Sequence, residues 1–312
     1  MLLTDYIQIV YVPARIDLCL QYRKKLDSVT SKFSEWLRRA AVLADLTEQN
    51  IGGYLTFYRQ SWSARSTNNQ RQVLFSLWQD AADSSKYAPL LAEHPNPRRV
   101  RKLAEERDPP QAWRKREIRQ LIAYCKELPG LVGDVPASLW WLSLFLTIHW
   151  TSSRIGAMLA VKAADYDGRG LLIRKQKNHK PQWFPLPKSC RRIIEQIRPN
   201  DRALIWATPW CMRHVWTKAR KIIEDAGLPC PKTGRNLFHR VRRTTITYCA
   251  KADPAIAQRT AGHRDYATTL RSYVDPRIVR LPSAVDVLFD PMRPHHSRPT
   301  PTKAPQRLRI VG

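Results

Sequence analysis

Apolar residues recur along most of this chain at spacings of three and four, the period of helices that bury one face. In TEQNIGGYLTFYRQ the residues Ile51, Tyr54, Leu55 and Tyr58 share a face behind Thr47 as N-cap. Ser66 or Thr67 can cap a second helix over NNQRQVLFSLWQDAAD, with Val73, Leu77, Trp78 and Ala81 as its inward stripe. Residues 92–112 combine four prolines with dense charge, which suits an exposed connection between domains. Beyond them WRKREIRQLIAYCKEL sets Ile118, Leu121, Ile122 and Cys125 on one face, and LWWLSLFLTIHW at 139–150 reads as a buried helix. The period then changes. Residues 171–186, LLIRKQKNHKPQWFPL, hold two short apolar runs around the polar turn QKNHK, the pattern of a β-hairpin with a basic tip. Helical periodicity resumes at 187 and continues with breaks to about 289. The pattern predicts a mainly α protein with a small β-hairpin, an α+β chain of two domains: 29–105 and 106–290. Residues 1–28, with the alternating stretch YIQIVYV and a basic linker, read as an N-terminal extension. Residues 291–312, rich in Pro and Arg, read as a disordered tail and a candidate extra DNA contact.

With 312 residues, 43% of them hydrophobic, the chain can fill two cores, so burial does not limit it. Charge narrows the partner. The chain has 53 Lys and Arg against 26 Asp and Glu, a net charge of +27. An excess of that size on a folding chain favours a polyanion, because each cation set against a phosphate releases a condensed counterion. Net charge alone fits DNA, RNA or an anionic membrane, and the competing explanation is a solvated basic surface. The longest apolar run is too short to span a bilayer and contains His149. Asp5 stands where a signal peptide carries Lys or Arg, so the expected location is the cytoplasm, with the nucleoid. Six cysteines, Cys19, Cys125, Cys190, Cys211, Cys230 and Cys249, have no CxxC pair or zinc spacing and read as reduced core thiols. The phosphate-loop, dinucleotide, HExxH and GxSxG motifs are absent, so no cofactor or metal is expected.

Five features of the second domain are weak one by one. Arg154 follows the apolar helix; lysines stud the hairpin tip; FHRVRR spans 238–243; Gly262 and His263 adjoin; and Tyr273 follows. His239 and Arg242, three apart, share a helical face. Alone, each has an ordinary explanation: surface charge, solvated turn, helix-end histidine or packed aromatic. Together they match one reaction. Moving a phosphodiester without metal needs guanidinium groups on the non-bridging oxygens. It also needs a nucleophile, a base for its proton and an acid for the departing oxygen. Two arginines, a tyrosine, a histidine and a lysine suffice.

In that order, with 85 residues from Arg154 to His239, 21 from Arg242 to His263 and 10 from His263 to Tyr273, residues 29–290 resemble the tyrosine recombinase or phage integrase family. TSSRIGAMLAV resembles its first box, RKQKNHKPQWFPL its lysine hairpin, FHRVRRTT its HxxR helix, and AGHRDYATTLRSYVDP its closing stretch. The resemblance implies a helical core-binding domain and a catalytic domain forming a C-shaped basic clamp on double-stranded DNA. It implies Tyr273 as nucleophile, Arg154 and Arg242 as the phosphate clamp, and His263 as a phosphate hydrogen-bond donor. Lys177 is the implied general acid, with Lys175 the runner-up, and His239 the base. Lys175, Lys180, Arg240 and Arg243 are DNA-binding candidates. The implied activity is site-specific recombination through a 3′-phosphotyrosine, integrating or excising a mobile element without ATP. It implies a homotetramer in the synaptic complex, with an accessory DNA-bending or directionality factor as a further candidate partner. A type IB topoisomerase and a DNA-binding protein with a vestigial site are the alternatives. Two positions depart from the family pattern, and the gap from His263 to Tyr273 is one residue longer than in many members. Ala157 stands where an acidic residue is common, and Arg243 where a histidine often follows the second arginine.

Overall fold

The computed structural model describes residues 1–106, 108–174, 180–199, 203–230 and 237–279. The chain divides into two compact units, Met1–Arg107 and Asp108–Gly312. Each has its own core.

The first unit is helical. Helix α1 (Leu3–Asp5) runs directly into a π-helical segment, Tyr6–Tyr11, followed by α2 (Leu20–Leu37), α3 (Glu48–Ser61) and α4 (Ala64–Ala82). The expected N-terminal extension is therefore part of this unit. YIQIVYV is wound into a helix, and Leu3, Tyr6, Ile7, Tyr11 and Leu26 are buried in the same core as Phe33, Leu77 and Trp78. Local alternation suggested an extended chain, but burial of Tyr6 and Tyr11 against α2 and α4 decided the conformation. The Tyr6 hydroxyl donates to Asp80 at 2.6 Å, and Arg15 makes a salt bridge to the same carboxylate.

Thr47 caps α3, its Oγ1 accepting from the N–H of Asn50 at 3.1 Å. The cap of α4 is Ser63 and not Ser66 or Thr67: its Oγ accepts from the N–H of Ser66 at 3.2 Å, so the helix starts earlier than the apolar stripe. Polar Asn68 and Gln70 in the first turns concealed that start, because both are buried and bonded across the unit. Asn68 Nδ2 donates to the Leu103 carbonyl at 2.9 Å, and the Gln70 side chain joins the Tyr54 and Tyr58 hydroxyls. An aromatic chain of Phe33, Trp36, Tyr54, Tyr58 and Trp62 extends from core to surface, with Lys32 over the stacked Tyr58 and Trp62 rings.

The segment 92–112 is more tied down than its composition suggests. Arg71 donates to the carbonyls of Val100 and Pro97, Trp78 Nε1 donates to the Glu93 carbonyl, and Val100 joins the core. Prolines remove donors, leaving carbonyls that α4 side chains satisfy.

The second unit begins with α5 (Lys115–Lys126), a short hairpin of β1 (Leu131–Val132) and β2 (Val135–Pro136), and α6 (Ala137–Thr151). Helix α6 is apolar on nearly every side because α5, α8 and α10 surround it. Then come α7 (Ile155–Met158) and the antiparallel hairpin of β3 (Gly170–Ile173) and β4 (Gln182–Pro185), which pairs Leu171 with Phe184. Gly170 admits the close approach of the two strands: a Cβ there would sit 2.4 Å from the Phe184 carbonyl oxygen and from the Trp183 ring. Helices α8 (Lys188–Ile197), α9 (Met212–Asp225), α10 (Leu237–Ala252), α11 (Pro254–Ala261) and α12 (Tyr266–Tyr273) complete the unit. The hairpin tip, the expected helix at 282–289 and the tail 291–312 lie outside the described residues.

Two apolar clusters fill this unit. The larger gathers α5, α6, the β3–β4 hairpin, α8 and α9 around Trp113, Trp140 and Trp206, with Phe238 from the start of α10. The smaller consists of Ile246, Ala250, Ala257, Ala261 and Val274, and carries α11 and α12. The cysteines are unpaired, but only Cys125 and Cys190 are buried; Cys19 and Cys211 are exposed, correcting the expectation of six core thiols. No helix among the described residues is long and apolar enough to cross a membrane.

Candidate active site

Helix α10 organises the site. His239, Arg242 and Arg243 are spaced so that all three side chains lie along one side of it. Arg242 is 1% exposed. Its Nη1 donates to the Ser152 carbonyl and its Nη2 to the Ala261 carbonyl at 2.7 Å. These carbonyls end α6 and α11. Arg154 follows the first by two residues and His263 follows the second by two, so one guanidinium braces the two chain segments that present the other site residues. Each segment leaves its helix through a left-handed residue. Ser152 has φ 50° and donates its hydroxyl to the Thr260 carbonyl at 2.8 Å, a second tie between the same two helix ends. Gly262 has φ 67°, with its N–H to the Arg259 carbonyl and that of His263 to the Gln258 carbonyl, a Schellman stop. The GH pair is thus a helix terminator that delivers a histidine to a fixed place.

Arg154 caps α7, and its buried Nη1 has no hydrogen-bond partner among the described residues. Buried Nε atoms of Arg242 and Arg243 are likewise without partners. Buried polar groups are normally satisfied, and three unsatisfied guanidinium nitrogens in one site mark a place for an anion. Burial also lowers the pKa of Arg242 and of Arg243, while the Tyr273 phenol opposes that shift in both.

His239 reports the local field. Its pKa is pushed down to about 4, first by burial and then by the positive charges of Arg242, Arg243 and Arg154. At neutral pH the imidazole is uncharged and able to accept a proton. The three arginines are close enough to be felt by one ring, which ties Arg154 to α10.

Tyr273 is the last residue of α12, which starts at its N-cap Asp265. Its ring lies 4.8 Å from the His263 ring, centroid to centroid, and the Arg242 guanidinium carbon is 5.2 Å from its centroid. His263 Nδ1 and Thr269 Oγ1 are 2.9 Å apart, which orients the imidazole. Thr247 Oγ1 donates to the Tyr273 carbonyl at 3.0 Å, tying the end of α12 to α10.

Six of the ten sequence candidates therefore meet: Arg154, His239, Arg242, Arg243, His263 and Tyr273. Arg240 does not: it is 8% exposed, stacks over the Trp113 ring at 5.5 Å and donates to the Pro229 carbonyl at 2.9 Å. It leaves α10 on another side, and its expected contact with DNA gives way to packing inside the unit. Lys180 is exposed just before β4, while Lys175 and Lys177 lie outside the described residues. Sequence reasoning missed Ser152, Thr247 and Asp275. Their only signal was position, beside an arginine, on the HxxR helix and two after the tyrosine. No cluster of His, Cys, Asp or Glu able to hold a metal occurs among the described residues.

No protein-family model matches the chain, and no curated protein matches it in sequence. Solved structures do. The chain is similar to the Tn1549 transposon integrase in complex with transposon right-end DNA, at 11% identity and TM-score 0.66, over 92% of this chain and 97% of that one. It is similar to a lambda integrase tetramer bound to a Holliday junction, at 16% identity and TM-score 0.63, over 89% of this chain and 78% of that one. It is similar to the XerH site-specific recombinase bound to its palindromic difH substrate, at 17% identity and TM-score 0.62, over 84% and 77%. The fold is that of the tyrosine recombinases.

Within the tyrosine recombinase fold, the two departures acquire physical content. Ala157 is buried beside Ile155 and Met158, so no carboxylate faces Arg154 from that position. Arg243 adds a third guanidinium where a histidine often stands, which raises the positive charge around His239 and Tyr273.

Proposed function

We propose that this protein is a site-specific DNA recombinase that cleaves and rejoins strands through a 3′-phosphotyrosine and integrates or excises a mobile element. The observation that carries the reading is the set of buried, partnerless guanidinium nitrogens of Arg154, Arg242 and Arg243 beside the Tyr273 ring. A phosphodiester is the anion that such a group, next to a phenol, is suited to transform.

In this reading the Tyr273 phenol attacks the phosphorus of the scissile phosphate. Its proton passes to neutral His239, and the bond to the 5′ oxygen breaks as that oxygen takes a proton from Lys177. Arg154 and Arg242 hold the non-bridging oxygens as charge develops, the role worth most in such reactions. Arg243 adds to the same clamp, and His263 donates a hydrogen bond to the phosphate. The phosphotyrosine keeps the bond energy, so a 5′ hydroxyl of a second strand reverses the step without ATP. Strand exchange takes a homotetramer on two DNA sites; the similar lambda integrase forms a tetramer bound to a Holliday junction. An accessory DNA-bending or directionality factor is a candidate further partner. Binding to the backbone draws on the net charge of +27.

The test is direct. Wild-type protein and Tyr273→Phe are incubated with supercoiled DNA carrying the flanks of the gene, and SDS traps covalent adducts. The reading expects a wild-type adduct at a 3′ phosphate, confined to one short sequence and absent from the variant. Adducts scattered over any plasmid, with relaxation, would replace it with a topoisomerase, and tight binding without adducts would replace it with a vestigial site.

A further inference from the structure

Among the described residues, the cluster beneath α11 and α12 has five fully buried members, three of them alanines, with Cys249, Tyr266, Leu270, Tyr273 and Val279 partly buried against it, whereas the larger cluster of the same unit includes Trp113, Trp140 and Trp206. Apolar burial alone gives the end of α12 few constraints, and catalysis by an attacking phenol needs its oxygen in line with the phosphorus. Polar ties supply the missing constraint, and they converge two residues past Tyr273.

Asp275 is 0% exposed. Its Oδ2 accepts from the backbone N–H of Ala112 at 2.8 Å, and its carboxylate accepts from Arg277 at Nε, at 3.0 Å, and Nη2, at 2.6 Å. The Arg277 backbone N–H donates to Oδ1 at 2.9 Å. The N–H of Asp275 donates to Thr247 Oγ1 at 3.1 Å, and that same hydroxyl donates to the Tyr273 carbonyl. Burial works against the charge of Asp275, but the Arg277 side chain and the N–H groups of Ala112 and Arg277 outweigh it and hold the carboxyl below its usual pKa. Ala112 belongs to the entry segment of the second unit, which α10 also holds: Thr244 Oγ1 accepts from the N–H of Trp113 at 2.8 Å and the Tyr248 hydroxyl from that of Lys115 at 3.1 Å. Thr244, Thr247 and Tyr248 therefore fasten both the entry segment and the tyrosine segment to the helix that carries His239 and Arg242.

We infer that Asp275 is a positioning residue for the nucleophile: through Ala112, Arg277 and the Thr247 bracket it locks the Tyr273 backbone to α10 and to the entry segment, holding the phenol against the arginine site. Asp275 touches no substrate and has no step in the chemistry. The inference rests on the strand-transfer reading above.

The experiment measures single-turnover cleavage of a nicked site by the full chain, with an ordinary phosphate and with a 5′-bridging phosphorothioate, whose leaving group needs no acid. For Asp275→Asn and Ala112→Pro, the expected result is a cleavage rate constant lower by about 10- to 100-fold on both substrates. Final adduct yield and DNA affinity should stay within twofold of wild type. A residue that merely held the fold would reduce the yield and spare the rate constant of the folded fraction, which would overturn the inference; so would a rate loss that the phosphorothioate rescues. Amide exchange provides a readout independent of activity. Both variants should exchange faster in the peptides covering 108–114 and 266–279, and unchanged exchange in the second would also overturn the inference. Absence of an adduct from wild type itself, with both peptides still loosened in the variants, would refute strand transfer and leave the latch in place.

Discussion

The two units treat buried polarity in opposite ways. In the first, buried polar side chains are closed among themselves: Asp45 accepts from Arg39 and from the N–H of Val42, Gln70 joins two tyrosines, and Asn68 holds the 103 segment. In the second lie all the buried side-chain nitrogens and oxygens without a partner among the described residues, and five of these seven atoms are guanidinium nitrogens. A folding chain normally avoids such atoms, because an unsatisfied buried donor costs about 1–3 kcal/mol. Three of the five belong to Arg154, Arg242 and Arg243, the arginines whose charge is felt at His239.

The comparison breaks most sharply at the tyrosine. Tyr273→Phe should keep DNA binding, measured by gel shift, and remove covalent adducts entirely. Next comes the clamp. Arg154→Ala should lower the cleavage rate by at least about a hundredfold, with little change in melting temperature, since its buried Nη1 has no hydrogen-bond partner among the described residues. Arg242→Gln should lose both activity and stability, because it also cuts the braces to Ser152 and Ala261.

A third prediction concerns pH. His239 has a folded pKa near 4 against an ordinary 6.5, so between those values the unfolded chain binds the extra proton. Stability should therefore rise with pH across that window, by on the order of 3 kcal/mol, and be flat above it. His149, partly buried, is shifted the same way by desolvation, so His239→Gln should shrink the slope in urea titrations without abolishing it. A short DNA duplex carrying the site should raise the His239 pKa, because the phosphate neutralises the arginines.

Substitutions in the first unit should do the reverse, costing stability and sparing chemistry. Asp45→Ala, which strands Arg39 and the Val42 N–H, should cost roughly 1–3 kcal/mol in denaturant melts while leaving the cleavage rate per folded molecule unchanged. Thr47→Ala, deleting one N-cap, should cost about 1 kcal/mol.

Much of this was legible in the residues. Helix α3 follows from its period and the Thr47 cap, α5 from its period, α6 from an unbroken apolar run, and the β3–β4 hairpin from two apolar runs about a basic turn. The candidate site followed from five features whose order and spacing resemble a family pattern, with one helical face joining His239 to Arg242. What escaped was decided by partners distant in sequence. The opening YIQIVYV became helical because Tyr6 found Asp80, 74 residues away. Arg240 and Arg242 look equivalent in FHRVRR, and only the packing of α10 sends one to Pro229 and Trp113 and the other to Ser152 and Ala261.

By itself the sequence determined the helical class, the basic character and the set of groups able to carry phosphoryl chemistry, because these depend on residue type and local period. Tertiary structure decided which guanidinium nitrogens stay without partners among the described residues, why His239 is neutral, and how Tyr273 is held. Those properties depend on dielectric, charge proximity and hydrogen bonds between residues as far apart as Ala112 and Asp275, and no local pattern encodes them.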